Sequence, residues 1–171
     1  MSSGHENGFS PMSSGVDRNR VALAMFVSNQ SLCLALSDLN RAGLPSEQMG
    51  IAGRATAMAA LVEAFHTGSA RPSGVEQLIR GIQPLPVMAG PERLLASDGP
   101  LWPTLKCFGT VPDAPLVVAL WMPPRLRDEL AAYIIDGAAL LGVRAASVDQ
   151  HKTCTQTLLQ HSTHRVHTHE F

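Results

Sequence analysis

Cysteine, lysine, aromatic residues and net charge are all scarce in this chain, and each scarcity excludes something. Three cysteines in 171 residues, Cys33, Cys107 and Cys154, are widely spaced and odd in number, with no CxxC pair. This spacing argues against a disulfide framework, and a reducing, cytoplasmic setting is the expectation. Two lysines against eleven arginines and a formal net charge of −1 leave no dedicated basic face for nucleic acid, so the arginine excess reads as compositional bias. No apolar run reaches the roughly 18 residues of a membrane span; the longest candidate, Leu130 to Val143, is interrupted by Asp136 and Gly137. Residues 1–19 lack the charged and apolar regions of a secretory leader and read as a flexible arm. Within that arm MSSG occurs at 1–4 and again at 12–15, as simple low complexity or as an alternative start at Met12.

The apolar residues, 45% of the total, are enough for a core without metal or disulfide support. They organise residues 20–171 as one α+β domain with an internal repeat: 21–53 aligns with 116–149 as strand, helix, strand. The first strands, Val21 to Val27 and Leu116 to Met122, are continuous apolar runs of seven, with Phe26 and Trp121 at matching positions. Ser28 or Asn29 can cap the first helix, with Leu32, Leu36 and Leu39 on one face; Pro123 and Pro124 open the second, with Leu126, Leu130, Ile134 and Leu141 on one face. Gly43 and Gly142 stand where left-handed helix ends are wanted, before short strands near Gln48 to Ala52 and Val143 to Val148. Two such units form a four-stranded antiparallel sheet with both helices on one face, the ferredoxin-like arrangement; a doubly wound parallel sheet is the competitor.

The insert 54–115 opens with a helix over 55–66, stopped at Gly68, and a short helix marked by Val75, Leu78, Ile79 and Ile82. Eight of the twelve prolines then fall between Pro72 and Pro115, which predicts extended or irregular structure. Leu94, Leu95, Leu101, Trp102 and Phe108 give this region apolar residues to lay against the domain. Residues 150–171 form an additional helix, capped by Asp149, and a strand. That strand puts Arg165, His167, His169 and Phe171 on one face and Val166, Thr168 and Glu170 on the other. It can extend the sheet or pair with a second subunit, which makes a homodimer the expected assembly.

The two blocks, each an apolar strand, a polar turn and a helix ending in AGLPSEQMGIAG or LLGVRAASV, resemble the repeat of the general stress protein 17M type. In that repeat a glycine follows the helix and a short strand follows the glycine. The resemblance covers 21–53 and 116–149. The acidic or aromatic residues common after that family's first strand are replaced by Ser28, Asn29 and Gln30 and by Pro123, Pro124 and Arg125. It implies a bacterial, stress-associated α+β domain and supplies no catalytic residues, because the family has no established catalytic motif.

Two constellations carry chemistry. Five of the seven histidines, His151, His161, His164, His167 and His169, crowd the last 21 residues, with Cys154 and Glu170 among them. Neutral imidazoles and a thiolate suit zinc, nickel or copper, so His151, Cys154, His164, His167 and His169 are the candidate ligands. The bland alternative is a solvated strand whose histidines also gain charge below about pH 6.5. Gly53 and Arg54, between a strand and a helix N-terminus, can present N–H groups and a guanidinium to an anionic cofactor, although the pattern is neither GxGxxG nor a Walker loop. Cys33, Cys107, Phe26 and Trp121 read as core, and Asp128 with Glu129 as helix-start carboxylates.

Three functions stay open: a non-enzymatic binding or regulatory domain, a transition-metal-binding protein, and a small enzyme with a pocket between sheet and insert near His66, Arg54 or Trp102.

Overall fold

The structure is a computed structural model that describes residues 20–68, 75–97 and 123–170. Among them six strands form one antiparallel sheet accompanied by five α-helices: β1 (Arg20–Phe26), α1 (Asn29–Arg41), β2 (Met49–Arg54), α2 (Ala55–Thr67), α3 (Val75–Arg80), β3 (Ile82–Ala89), β4 (Glu92–Ser97), α4 (Pro124–Ile135), β5 (Ala139–Ala145), α5 (Val148–His161) and β6 (His167–Glu170). The strand order is β3-β4-β2-β5-β1-β6. The α+β class is as read; the sheet is wider than the four strands expected.

The first unit forms as its sequence dictates. Ser28 Oγ accepts the Ser31 N–H at 3.3 Å and starts α1. At the other end Gly43 has φ +84, its N–H donates to Asn40 O at 3.0 Å, and the Leu44 N–H donates to Leu39 O at 3.1 Å. These are the paired bonds of a left-handed helix stop, which only glycine enters without steric cost.

The second unit departs from the repeat alignment. Helix α4 ends at Ile135, six residues before the expected Leu141, because Gly137 takes φ +98 and the same pair of bonds closes the helix: Gly137 N–H donates to Ile134 O and Ala138 N–H to Tyr133 O, both at 3.0 Å. Gly142 is therefore no helix stop. It sits within β5, opposite Leu23 of β1 and Gly50 of β2. The two aligned helices also lie on opposite faces, in place of the single shared face expected. Leu32, Leu36 and Leu39 of α1 pack with Ala22, Ala24, Phe26 and Leu141, whereas Leu126, Leu130 and Ile134 of α4 pack with Val21, Leu23, Met25 and Leu140. Alternation along the strands sends neighbouring residues to opposite sides, so the two sets are separated by the sheet itself.

The helix that shares the α1 face is α5, which buries Cys154 and Leu158 in the same cluster. Its N-cap is Ser147, not the expected Asp149: Ser147 Oγ accepts the Gln150 N–H at 3.1 Å, and Gln150 Oε1 accepts the Ala146 N–H at 2.9 Å. His161 Nε2 and Asp38 Oδ2, 2.8 Å apart, join α5 to α1.

Pairing directions make two interleaved crossovers. β1 and β2 each run antiparallel to β5 between them, so β1-α1-β2 straddles β5; β5 and β6 each run antiparallel to β1, so β5-α5-β6 straddles β1. Both sides of β1 are thus taken, by β5 along Arg20–Phe26 and by β6 along Arg20–Leu23. The expected neighbour, 116–122 with Trp121, lies outside the described residues, as do Trp102, Cys107 and the 1–19 arm.

The proline-rich stretch, expected to be extended or irregular, holds a hairpin of β3 and β4. Ala89 faces Glu92 across a two-residue loop whose Gly90 has φ +65, as a hairpin turn with glycine first requires. Pro84 and Pro86 are tolerated because β3 is an edge strand, and the pairing with β4 shifts register between Pro84 and Met88. No described helix is long and apolar enough to cross a membrane.

Candidate functional site

The histidines divide between the two faces of the sheet. In β6, Thr168 stands opposite Ala22 and Glu170 opposite Arg20, on the α1 and α5 face, while His167 faces Leu23 and His169 faces Val21, on the α4 face. The expected alternation along this strand is present; its outer member Phe171 lies outside the described residues.

On the α5 side, His151 stands among Arg20 and Glu170, which form an ion pair at 2.9 Å. Burial lowers the His151 pKa first; Glu170 opposes that shift and Arg20 adds to it. Cys154 is fully buried one turn further along α5, its Sγ donating to His151 O at 3.2 Å, and burial raises its pKa. On the α4 side, burial lowers the pKa of both His167 and His169. Glu129 opposes the shift at His167 and Arg165 adds to it, while the neighbouring His167 adds to the shift at His169. His164 stacks on Tyr133 of α4, ring centroids 4.2 Å apart. The five proposed ligands are therefore not convergent: the sheet stands between His151 with Cys154 and the remaining three. Among the described residues no group of three or more His, Cys, Asp or Glu side chains is placed to hold a metal ion. His167 and His169 share one strand face.

The strand is anchored at its start. Thr163 N–H donates to Met25 O at 3.3 Å, the Val27 N–H donates to Thr163 Oγ1 at 3.3 Å, and Ser162 Oγ donates to His164 O at 2.9 Å. Beyond these bonds β6 has β1 as its neighbour on one side and, among the described residues, ends the sheet on the other.

Arg54, with Thr56 and without Gly53, builds an anion site, and the anion is the chain's own. Glu92 Oε2 accepts the Thr56 N–H at 2.9 Å and the Thr56 hydroxyl at 2.7 Å, at the first turn of α2. Glu92 Oε1 accepts from Arg54 Nε at 3.1 Å and from Arg54 Nη2, and Arg54 Nη1 donates to Ile135 O at 2.6 Å. The Arg54 hydrogen bonds, then those from Thr56, hold the Glu92 pKa at about 2. At the position considered for a phosphate, an internal carboxylate ties β4 to β2, α2 and the end of α4. Gly53 serves packing: a Cβ there would meet Met58 Cε at 2.7 Å.

Of the residues considered for an enzyme pocket, Arg54 and His66 stand at opposite ends of α2, about 18 Å apart at 1.5 Å per residue. Trp102 lies outside the described residues. Sequence reasoning missed Glu92, 38 residues from Arg54, and no local pattern marks it.

No protein-family model, curated protein or solved structure matches the chain significantly.

Proposed function

We propose that this chain is a non-enzymatic binding domain with a ferredoxin-like core, of the stress-associated bacterial kind its 21–53 block resembles, and that it works by associating with a second copy of itself along β6. The interleaved crossovers β1-α1-β2 and β5-α5-β6, with α1 and α5 on one face, support the ferredoxin-like reading. The charged groups support a scaffold role, because many are spent within the fold: Arg54 on Glu92, Arg20 on Glu170, Asp38 on Arg41 and His161.

The observation that carries the assembly is the contrast between the two sheet edges. Edge strand β3 contains two prolines and a register shift, devices that prevent a further strand from pairing. Edge strand β6, HTHE, has no proline and a regular register. Among the described residues β6 ends the sheet, and a strand end of this kind offers backbone donors and acceptors to which a second β6 is complementary.

Light scattering after size exclusion tests this. The native chain is expected to be dimeric at micromolar concentration. Thr168→Lys, at an exposed position on the α5 face, sets two ammonium groups near the pairing axis and is expected to yield a folded monomer. A native chain that stays monomeric across the accessible concentration range refutes the proposal, as does a dimer indifferent to Thr168→Lys.

A further inference from the structure

We propose that residues 162–170 form an acid-released strap: protons taken up by His151 and His167 unseat β6 from β1 while the rest of the described sheet stays folded. The inference concerns how β6 docks on β1 within one chain, and it holds whether or not β6 pairs with a second copy.

The docking is short and lightly held. β6 pairs with β1 over four residues, Glu170 to His167 against Arg20 to Leu23. At the start of the segment the Thr163 N–H donates to Met25 O and the Val27 N–H to Thr163 Oγ1, each at 3.3 Å, just longer than the usual range of about 2.7–3.2 Å. At its end Glu170, half exposed, pairs with Arg20 at 2.9 Å. A terminal element with so few ties opens at a lower cost than the whole sheet.

Two imidazoles stand where this docking closes. His151 of α5 lies beside the Arg20 and Glu170 pair. Its Nδ1 is sealed from solvent and has no hydrogen-bond partner among the described residues, so a proton placed there meets neither water nor an acceptor in the docked strand. Glu170 is already met by Arg20, so a charge on His151 sets a second cation against one carboxylate. On the other face of the strand His167 stands opposite Leu23, with Glu129 of α4 and Arg165 of the segment itself as the charges about it. A charge on His167 also opposes one on His169 along the same face. The sheet separates His151 from His167, so they titrate as individual side chains.

Burial is the largest cause lowering the pKa of both rings; Glu170 and Glu129 oppose it, Arg20 and Arg165 add to it. The docked strand therefore binds fewer protons than the released one, and release is favoured as pH falls through about 6.5. A ring that stays neutral when docked and titrates at about 6.5 when released weights release by about tenfold at pH 5.5. Helix α5 is held in the same conditions. His161 Nε2 lies 2.8 Å from Asp38 Oδ2, so a proton on His161 completes an ion pair between α5 and α1. The strand leaves and its helix stays.

The test is amide hydrogen exchange followed by NMR on the full chain at pH 7.5 and 5.5, each rate divided into that of the unstructured peptide. Amides of residues 163–170 are expected to be at least tenfold less protected than those of β5 at both pH values, and to lose about a further tenfold at pH 5.5. The His151→Gln, His167→Gln double variant is expected to lose most of that pH dependence while its circular dichroism stays native. Equal protection of β6 and β5 in the native chain overturns the inference, because the strand then opens only with the whole sheet. Protection of 163–170 that is the same at both pH values overturns it too, as does a folded double variant that keeps the full loss.

Discussion

The placement of α4 on the face of the sheet opposite α1 makes a prediction that the sequence-based arrangement does not share. Leu130 lies at the centre of the α4 stripe, between Leu126 and Ile134, and is 0% exposed. Leu130→Ala removes the branched end of a fully buried side chain and leaves a space that the sheet beneath, paired on both sides of β1 and β5, closes only in part. Such substitutions cost about 2–5 kcal/mol, from lost transfer energy together with the residual cavity. Taking about 3 kcal/mol, and about 2–4 °C per kcal/mol for a chain of this length, the melting temperature falls by roughly 6–12 °C. Asp128→Ala, on the exposed side of the same helix, is expected to stay within about 0.5 kcal/mol. The decisive measurement is a double-mutant cycle with Leu36→Ala, followed by urea denaturation. Leu36 belongs to the other apolar layer, so the two losses add to within about 0.5 kcal/mol. Were α1 and α4 on one face, these leucines would share a layer and couple. A Leu130→Ala loss below about 1 kcal/mol, or a coupling energy above about 1 kcal/mol, refutes the two-layer arrangement.

Two further outcomes follow from individual groups. Gly137→Ala meets no atom within 4 Å of the new Cβ, so its cost is the left-handed backbone alone, about 1–2 kcal/mol, with Gly137→Asn costing less; equal melting temperatures for Gly137→Ala and the native chain would show that α4 does not stop there. Stability against pH should fall in two windows. The His151, His167 and His169 pKa values are all lowered from 6.5, so the unfolded chain binds these protons first and stability drops as pH falls through about 6.5, a step that His151→Gln makes smaller. The Glu92 pKa is lowered from 4.5 to about 2, so the stability it contributes is complete above 4.5 and lost as pH falls towards 2. Thermal melts from pH 8 to 3 check both, and a profile for Glu92→Gln that keeps the full acid step would contradict the second.

What the sequence discloses of the fold follows the range of the interaction. Helix α1 was legible because its signals are local: Ser28 before it, three leucines along one face, Gly43 and Pro45 after it. Helix α2, ending at Gly68, was legible for the same reason. The error at α4 arose where a helix runs into a strand buried on both faces. Ala138 to Val143 is apolar without the alternation that distinguishes strand from helix, and aligning Gly142 with Gly43 carried the helix through it. The local stop, Asp136 followed by Gly137, was in view but had been read as an interruption of an apolar run. Pro84 and Pro86 narrow the choice only to extended or irregular structure: they forbid a central strand and permit an edge strand, and which applies depends on strand order.

The same distinction divides the candidate site. That His167 and His169 share a face follows from strand periodicity and was legible. That His151 and Cys154 lie across the sheet from them follows from β1 standing between β5 and β6, a pairing that no spacing in the chain encodes. Arg54 at a helix start was readable as an anion site, but the residue that fills it arrives from β4 through a tertiary contact. Periodicity places two imidazoles together on the strand, while strand order, which only tertiary pairing sets, puts that strand at the end of the sheet among the described residues. A symmetric partner strand would continue the hydrogen-bonding row along β6, and for that reason Thr168→Lys is expected to remove assembly while leaving the fold intact.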